Sequence, residues 1–300
     1  MLDRVTGMQV FTRIAALGSL SAAARALGMS QTMATKHLSA IEARLGVRLL
    51  HRTTRRLTLT EAGRNYLDAV ERILDEIEEA EAVASVEAIE VRGTLRLNAP
   101  VSFGVREIAP LLPEFARAHP LLTIDLGLND RRVDLVEEGW DLVVRIGSLT
   151  GSTMVVRRLA PCRMVVCAAP DYLARHGEPR TIADLTQQNC LGYTLSRIVG
   201  AERWSFGRDG ATSVPVSGNL KATSGDALVA AAIAGQGIIY QPTFLVSREI
   251  AAGRQLDHDP VELHGIFAGY PSDRRPPAKV RVFIEFLSAR FGPAPPWDRG

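Results

Sequence analysis

The sequence predicts an α/β chain in three parts: a small helical head, one long helix and a two-lobed α/β body. Three observations predict it. Residues 1–60 carry short helical apolar stripes punctuated by glycine, and residues 64–91 hold neither Pro nor Gly. From residue 92 onward, strand-like and helix-like stretches alternate, as in a sheet covered by helices. With 300 residues, 46% of them hydrophobic, the chain can hold two or three core-bearing units and is too apolar for disorder. No stretch approaches the ~18 uninterrupted apolar residues of a membrane span. Asp3, Arg4 and Arg13 interrupt the first segment, which lacks an apolar run of signal-peptide length, so export is not expected. Cys162, Cys167 and Cys190 are odd in number; they fit a reducing compartment, the cytoplasm, and argue against a disulfide framework. Neither Cys-x-x-Cys nor a His cluster is present, so no metal or other cofactor is expected.

The net charge of +2 hides a polarity. Residues 1–60 hold nine Lys or Arg against two acids, a net of +7, and residues 61–92 hold three Arg against ten acids, a net of −7. A basic head on an acidic neck suits a head that alone meets a polyanion.

In the head, Met8, Val10, Phe11, Ile14 and Leu17 fall on helical spacing, and Gly18-Ser19 ends that helix. Ser21 is expected to cap a second helix, Ala22 to Leu27, with Gly28 beyond its end. Three consecutive alanines let another helix approach closely. Gly28-Met29-Ser30 makes a tight turn, and Ser30 is placed to cap a third helix with Ala34, Leu38, Ile41 and Leu45 on its core face. The leading face of that helix carries Gln31, Thr32, Thr35, Lys36 and Ser39, and Lys36 is the only lysine before residue 221. Two short helices around a tight turn make a helix-turn-helix. Gln can pair with an adenine edge, Thr can meet phosphate or a thymine methyl, and Lys can reach guanine or phosphate, so these residues suit the major groove of double-stranded DNA. Next, "LLHRTTRRLTLT" places Arg52, Arg55 and Arg56 at the tip of a short hairpin. Arginine there suits phosphates and a narrow minor groove. Thr60 is the expected cap of the helix that follows.

Residues 1–65 closely resemble the winged helix-turn-helix of LysR-type transcriptional regulators. The resemblance runs through Phe11, Ser19, Ala22 to Ala24, Leu27, "SQTMATKHLSAIEARLG" and "LLHRTTRRLTLTEAG". The family pattern Ser-Gln-Ser-x-Val-Ser-Arg/Lys stands here as Ser30-Gln31-Thr32-Met33-Ala34-Thr35-Lys36. The resemblance implies major-groove contacts from Gln31, Thr32, Thr35 and Lys36, and wing contacts from Arg52 and Arg55.

Beyond the head, Leu67, Val70, Leu74, Ile77, Glu81, Ala84 and Ala88 step 3 and 4 alternately, a heptad-like stripe with one acidic break. About 28 residues of helix would extend about 42 Å. No small head could bury that length, so pairing with a second copy is expected, and a dyad is what a palindromic operator demands. The resembling regulators dimerise through this helix and often form tetramers. They also leave room for contacts with RNA polymerase.

In the body, "TLRLNAP", "LTIDLGLND" and "WDLVVRIGS" are expected strands, "SFGVREIAPLLPEFARAHP" and "RRVDLVEEG" expected helices, and the sheet is expected to be mainly parallel. A second set follows, and "AKVRVFIEFLSARF" is a closing amphipathic helix. The pieces "GTLRLNAPVSFG", "FARAHP", "DLVEEGWDLVVRIG", "CAAPDYLARHG", "NCLGY" and "AAIAGQGI" resemble the LysR-type effector domain, which has the fold of type 2 periplasmic binding proteins. The expected layout is a DNA-binding domain over 1–60, a linker helix over 61–91 and an effector domain over 92–300. Lobe I takes about 92–162 and 267–292, and lobe II about 163–266. The tail "GPAPPWDRG" is expected to be loose.

Ligands in open α/β sheets bind beyond the carboxyl ends of strands. Four such points appear: Ala99 to Gly104, Arg145 to Ser148, Thr223 to Asp226, and Tyr240 to Thr243. The resemblance implies effector contacts at Ser102, in the Arg145 loop, near Tyr193 and near Gln241-Pro242. The candidates are Ser102, Phe103, Arg145, Gly147, Tyr193, Thr223, Gln241 and Pro242, with Tyr240 as a further wall. A helix start at Ser102 and a cation at Arg145 favour a small organic anion. The competing reading pairs Arg145 with Asp141 or Asp226 and leaves the cleft to a neutral ligand. Two other functions compete with regulation by a small-molecule effector. One is a redox sensor using the cysteines, which at this spacing are expected to be buried apolar residues. The other is an enzyme on the body, but no Gly-x-Ser-x-Gly, P-loop or dinucleotide fingerprint is present.

Overall fold

A computed structural model of the chain describes residues 2–52, 57–84, 91–131, 135, 137–147, 154–196, 200–207, 210–251, 261–272 and 276–299. The chain divides into two compact units, Met1–Glu90 and Val91–Gly300.

The first unit holds helices α1 (Arg4–Leu17), α2 (Leu20–Ala26) and α3 (Gln31–Leu45), a hairpin of β1 (Leu50–Arg52) and β2 (Leu57–Leu59), and helix α4 (Glu61–Ala84). Local chemistry sets these bounds. Asp3 accepts the Thr6 N–H to start α1, and Gly18 stops it in the left-handed region at φ 62°. The cap of α2 is Ser19, not Ser21. Ser19 follows the Gly18 turn already extended, and its hydroxyl accepts the Ala22 N–H, while among the described residues the Ser21 hydroxyl meets only that of Ser19. After α2 the Met29 N–H returns to Ala24 and the Gly28 N–H to Arg25, a Schellman pair that needs the positive φ of Gly28. Val10, Phe11, Ile14, Ala23, Ala24, Ala34, Leu38, Ile41, Leu49 and Leu50 form the core. Leu45, the last member of the expected α3 stripe, is exposed. Gly63 lies so close to Leu49 that a Cβ there would collide with its carbonyl oxygen.

The second unit is built on a six-stranded sheet of order β11-β6-β12-β5-β3-β4. In chain order its elements begin with β3 (Gly93–Ala99), α5 (Val101–Phe103), α6 (Leu112–Ala118), β4 (Leu122–Leu128), β5 (Leu142–Ile146) and β6 (Met154–Cys167). Then come α7 (Pro170–His176), β7 (Gly192–Tyr193), β8 (Arg203–Phe206), β9 (Thr212–Pro215) and β10 (Lys221–Ala222). The chain continues through α8 (Gly225–Ile233), β11 (Ile239–Pro242), α9 (Thr243–Ala251), β12 (Val261–Pro271) and α10 (Ala278–Phe291). The sheet is mixed rather than mainly parallel. β3 runs parallel to β4 and β5, but β12 is antiparallel to β5 and β6, and β11 is antiparallel to β6. The long strand β6 pairs with β12 along most of its length and with β11 at its far end, so two strands carry the sheet from one half of the unit into the other.

Two expected helices come out differently. Between α5 and α6 the helical run passes through a π turn, Gly104–Ile108, and a 3₁₀ turn, Ala109–Leu111. Pro110 and Pro113 each lack the N–H that a regular α-helix needs there, so the winding changes. Of "RRVDLVEEG", Arg131 is a bend, residues 135 and 137–139 are turns, and residues 132–134 and 136 lie outside the described residues.

The tail is docked, not loose. Trp297, in a 3₁₀ turn over Pro296–Asp298, is buried against Phe103, Phe244 and Phe291, with ring centroids 5.6, 6.2 and 5.2 Å away. Asp298 accepts the Thr243 hydroxyl at 2.6 Å and lies 3.7 Å from Arg163. Truncating a buried Trp costs about 3–5 kcal/mol. Trp297→Ala should therefore lower the denaturant midpoint of this unit clearly in the full chain. An unchanged midpoint would mean that the tail adds no stability.

Candidate functional sites

In the head, the Ser30 hydroxyl accepts the Met33 N–H and starts α3. That bond uses the Ser30 oxygen and leaves its O–H free to donate. Gln31, Thr32 and Lys36 are exposed on the leading face. Thr35 is half-buried and its hydroxyl donates to the Gln31 carbonyl at 2.9 Å, so from this position it can only accept. Arg52 ends β1 opposite Leu57, and Arg55 and Arg56 lie outside the described residues.

Sequence reasoning passed over the side chain that fixes the wing. Glu42 of α3 is 5% exposed and accepts the Leu49 N–H at 2.9 Å, the Leu50 N–H at 3.4 Å and the Arg48 guanidinium at 2.9 Å. One of only two acids in the basic segment 1–60 was the available signal. Its carboxylate ties the start of the hairpin to the helix that presents Gln31.

In the body, Ser102 follows the carboxyl end of β3 and Arg145 lies near that of β5, where an open sheet binds its ligand. Arg145 is partly buried; its guanidinium donates to the Asn98 side chain at 2.7 Å and the Val144 carbonyl at 2.9 Å. Burial pulls its pKa below the ordinary arginine value, and the carboxylates of Asp130 and Glu138 act against that. Among the described residues it forms no ion pair. Asp141 instead pairs with the buried Lys279 at 3.2 Å and accepts the Arg96 N–H. Asp226 is held by Ser102, whose hydroxyl donates at 2.5 Å, and by Arg106 at 2.7 and 2.9 Å. Burial raises the pKa of Asp226, but these bonds outweigh it and the net shift is down. Asp130 accepts the Val101 N–H at 2.9 Å, at the start of α5. Tyr193, half-buried, is pushed up to about 12 by burial and by Asp130, which keeps its hydroxyl protonated.

The other candidates are divided between the core and the surface. Phe103 is fully buried in the aromatic cluster. The Gly147 N–H is spent on Gly265, with φ at 113°. Tyr240 is buried, stacked on Phe206 at 4.7 Å, and donates to the Ser205 carbonyl. Gln241 is buried beside Gly225, Pro242 is half-buried, and Thr223 is exposed next to Ser224, which caps α8. Arg106, Asp130 and Asn98 were not anticipated. Of these only Arg106 left a trace, four residues after Ser102 on a helical spacing.

Residues 5–64 match the bacterial regulatory helix-turn-helix of the lysR family, and residues 88–292 match the LysR substrate binding domain. The chain belongs to the LysR family. It is 32% identical to the HTH-type transcriptional regulator DmlR of Escherichia coli K12, over 97% of this chain and 95% of that protein. The structure of the LysR-type regulator CrgA from Neisseria meningitidis covers 96% of this chain and 98% of that one, with 31% identity and a TM-score of 0.60. Full-length AphB, a virulence activator of Vibrio cholerae, covers 95% and 98%, with 25% identity and a TM-score of 0.57. This LysR chain is thus a DNA-binding transcriptional regulator with an effector-binding domain, on an α/β fold with a helix-turn-helix at its start. Among the described residues no helix is long and apolar enough to cross a membrane.

The redox alternative gains nothing from the thiols. All three are buried, and burial pushes Cys167 and Cys190 up to about 12, so both stay protonated through and above neutral pH. In the native LysR chain, iodoacetamide at mildly alkaline pH should leave all three cysteines unmodified, with alkylation following only on unfolding. Rapid labelling of one native thiol would restore a redox role.

Proposed function

We propose that this regulator reads an operator with dyad symmetry as a dimer paired through α4, assembles further into a tetramer, and responds in the cytoplasm to a small organic anion held by the body. The exposed polar leading face of α3, with its capped and positively polarised N-terminus, carries the DNA part of this reading. Gln31, Thr32 and Lys36 meet base edges, Ser30 donates to phosphate, and Thr35 accepts. Arg52, Arg55 and Arg56 grip the backbone or the minor groove from the wing. The proposed layout keeps DNA binding to residues 1–60, the linker to 61–91 and the effector domain to 92–300, in two lobes that share β6 and β12.

The stripe on α4 supports pairing. Its first member, Leu67, packs on the head core and Val70 is buried, but Leu74 and Ile77 stay half-buried and Ile73 is 40% exposed in the single chain. The helix has 24 residues, about 36 Å. Contact with RNA polymerase completes the regulatory reading, and no catalytic step is assigned.

Gln31→Ala should weaken operator binding by about 1–3 kcal/mol and relax one base position per half-site. Leu74→Glu should leave the chain folded but monomeric in sedimentation and unable to protect the operator. A footprint on the adjoining upstream DNA checks both, and normal protection by both variants would overturn the reading.

The anion rests on Arg145, a partly buried cation whose described hydrogen bonds go to neutral oxygens. A carboxylate would supply a directly bonded counter-charge and could accept two of its remaining N–H groups. Calorimetry on the full chain should show Arg145→Ala weakening acids that bind the wild type. A neutral amide that binds as well as its parent acid would sink the assignment.

A further inference from the structure

The donors that a small acid would seek at the start of α5 are already held by carboxylates of the chain itself. Asp130 takes the Val101 N–H. Asp226 takes the Ser102 hydroxyl on one oxygen, and on the other oxygen both Nε and Nη2 of Arg106. Ser102 and Arg106 follow β3, toward one side of the six-stranded sheet, whereas Asp226 begins α8, which leads into β11 at the opposite edge. One carboxylate therefore joins the two halves of the body, across 124 residues of sequence.

Asp226 is not needed to start its own helix. Ser224 does that, accepting the Ala227 N–H. The position of Asp226 is nonetheless set: Gly225 beside it packs so tightly on Gln241 and Leu245 that a Cβ would lie 3.1 Å from the amide oxygen and 2.6 Å from the leucine methyl. The bonds remain within reach of a solute, since the side chains of Arg106 and Asp226 are 23% and 43% exposed. Beneath them the contact changes character. Phe103, next to Ser102, meets Phe244, just after β11, edge to face at 5.1 Å in the dry core. The two halves are thus held by a packed apolar pivot and, one residue away, by a polar contact open to competition.

We propose that Asp226 is a built-in competitor for the acidic group of the ligand: its carboxylate latches the two halves of the body through Ser102 and Arg106, and a small acid acts by taking its place. This rests on the reading above that the body takes a small anion. A competing acid exchanges one set of charge-assisted bonds for another, so its affinity is set by what Asp226 gives up.

The test uses the full chain and three probes: succinate, benzoate and inorganic sulfate. Removing the competitor with Asp226→Asn should tighten a binding probe by roughly tenfold, the equivalent of one lost charge-assisted bond. Asp226→Glu, which keeps the acid, should remain near wild type. Hydrogen exchange read on residues 101–108 and 225–233 should be faster in Asp226→Asn without any probe, because the tie is gone, while the rest of the body keeps its protection. A probe that binds wild type but binds Asp226→Asn equally or more weakly overturns the competitor. If none of the probes binds any variant, the anion reading fails, and exchange alone then judges the latch: unchanged protection at both segments overturns it.

Discussion

Burial of Phe103 is the constraint on which the body depends. Its ring is fully enclosed by Phe244, Phe291 and Trp297, so four separate segments must be in place before it leaves water: the turn after β3, the start of α9, the end of α10, and the tail. An aromatic cluster of this kind is rigid because each edge-to-face pair fixes the next. It also dictates what can happen beside it. Ser102 cannot move far while Phe103 is clamped, so the polar contacts of Ser102 are made or broken around a fixed point.

Polar groups at the strand ends are satisfied by equally specific pairings, and these divide the charges into structural and available ones. Asp141 and Lys279 are both buried and pay for their desolvation by bonding to each other and to the backbone of β3. That pair anchors α10 to the sheet and has nothing left for a ligand. Arg145 is different: Asn98 orients it without neutralising it. Glu42 plays the structural part in the head, where one buried carboxylate fixes the wing's first strand to α3. Helix α3 and the first strand of the hairpin then share one frame.

What was legible in the sequence was local. The caps at Ser30 and Thr60 and the stops at Gly18 and Gly28 each act within four residues of themselves, and α10 follows an apolar period with no turn residue inside it. The error at Ser21 arose within the same local logic: two serines compete, and the preceding glycine turn decides for Ser19. Non-local partners were invisible. Trp297 sits in a Pro-rich stretch whose composition suggests a loose end, and its burial depends on Phe103, far back in the chain. Asp226 could be placed at a helix start but was offered only Arg145 as a partner, because Ser102 and Arg106, which hold it, lie more than a hundred residues earlier. The antiparallel course of β12 was equally hidden, since strand direction follows from which edge the last crossover reaches, not from the strand's own residues.

These contacts give the body an uneven response to force. Separating the Phe103 cluster exposes apolar surface, which no small solute can replace. Exchanging the Asp226 carboxylate for another exposes almost nothing and keeps each donor satisfied, so it is the step with the smaller penalty. A ligand can shift a conformational equilibrium only by its differential affinity for the two states. Competition with an internal group makes that difference explicit: if the latch is closed nine-tenths of the time, the apparent affinity of an acid falls about tenfold below its intrinsic value. The same factor measures the coupling, because what the latch withholds from binding is what binding must spend to open it. A loose latch would let acids bind tightly and signal little, whereas a very tight one would silence the body.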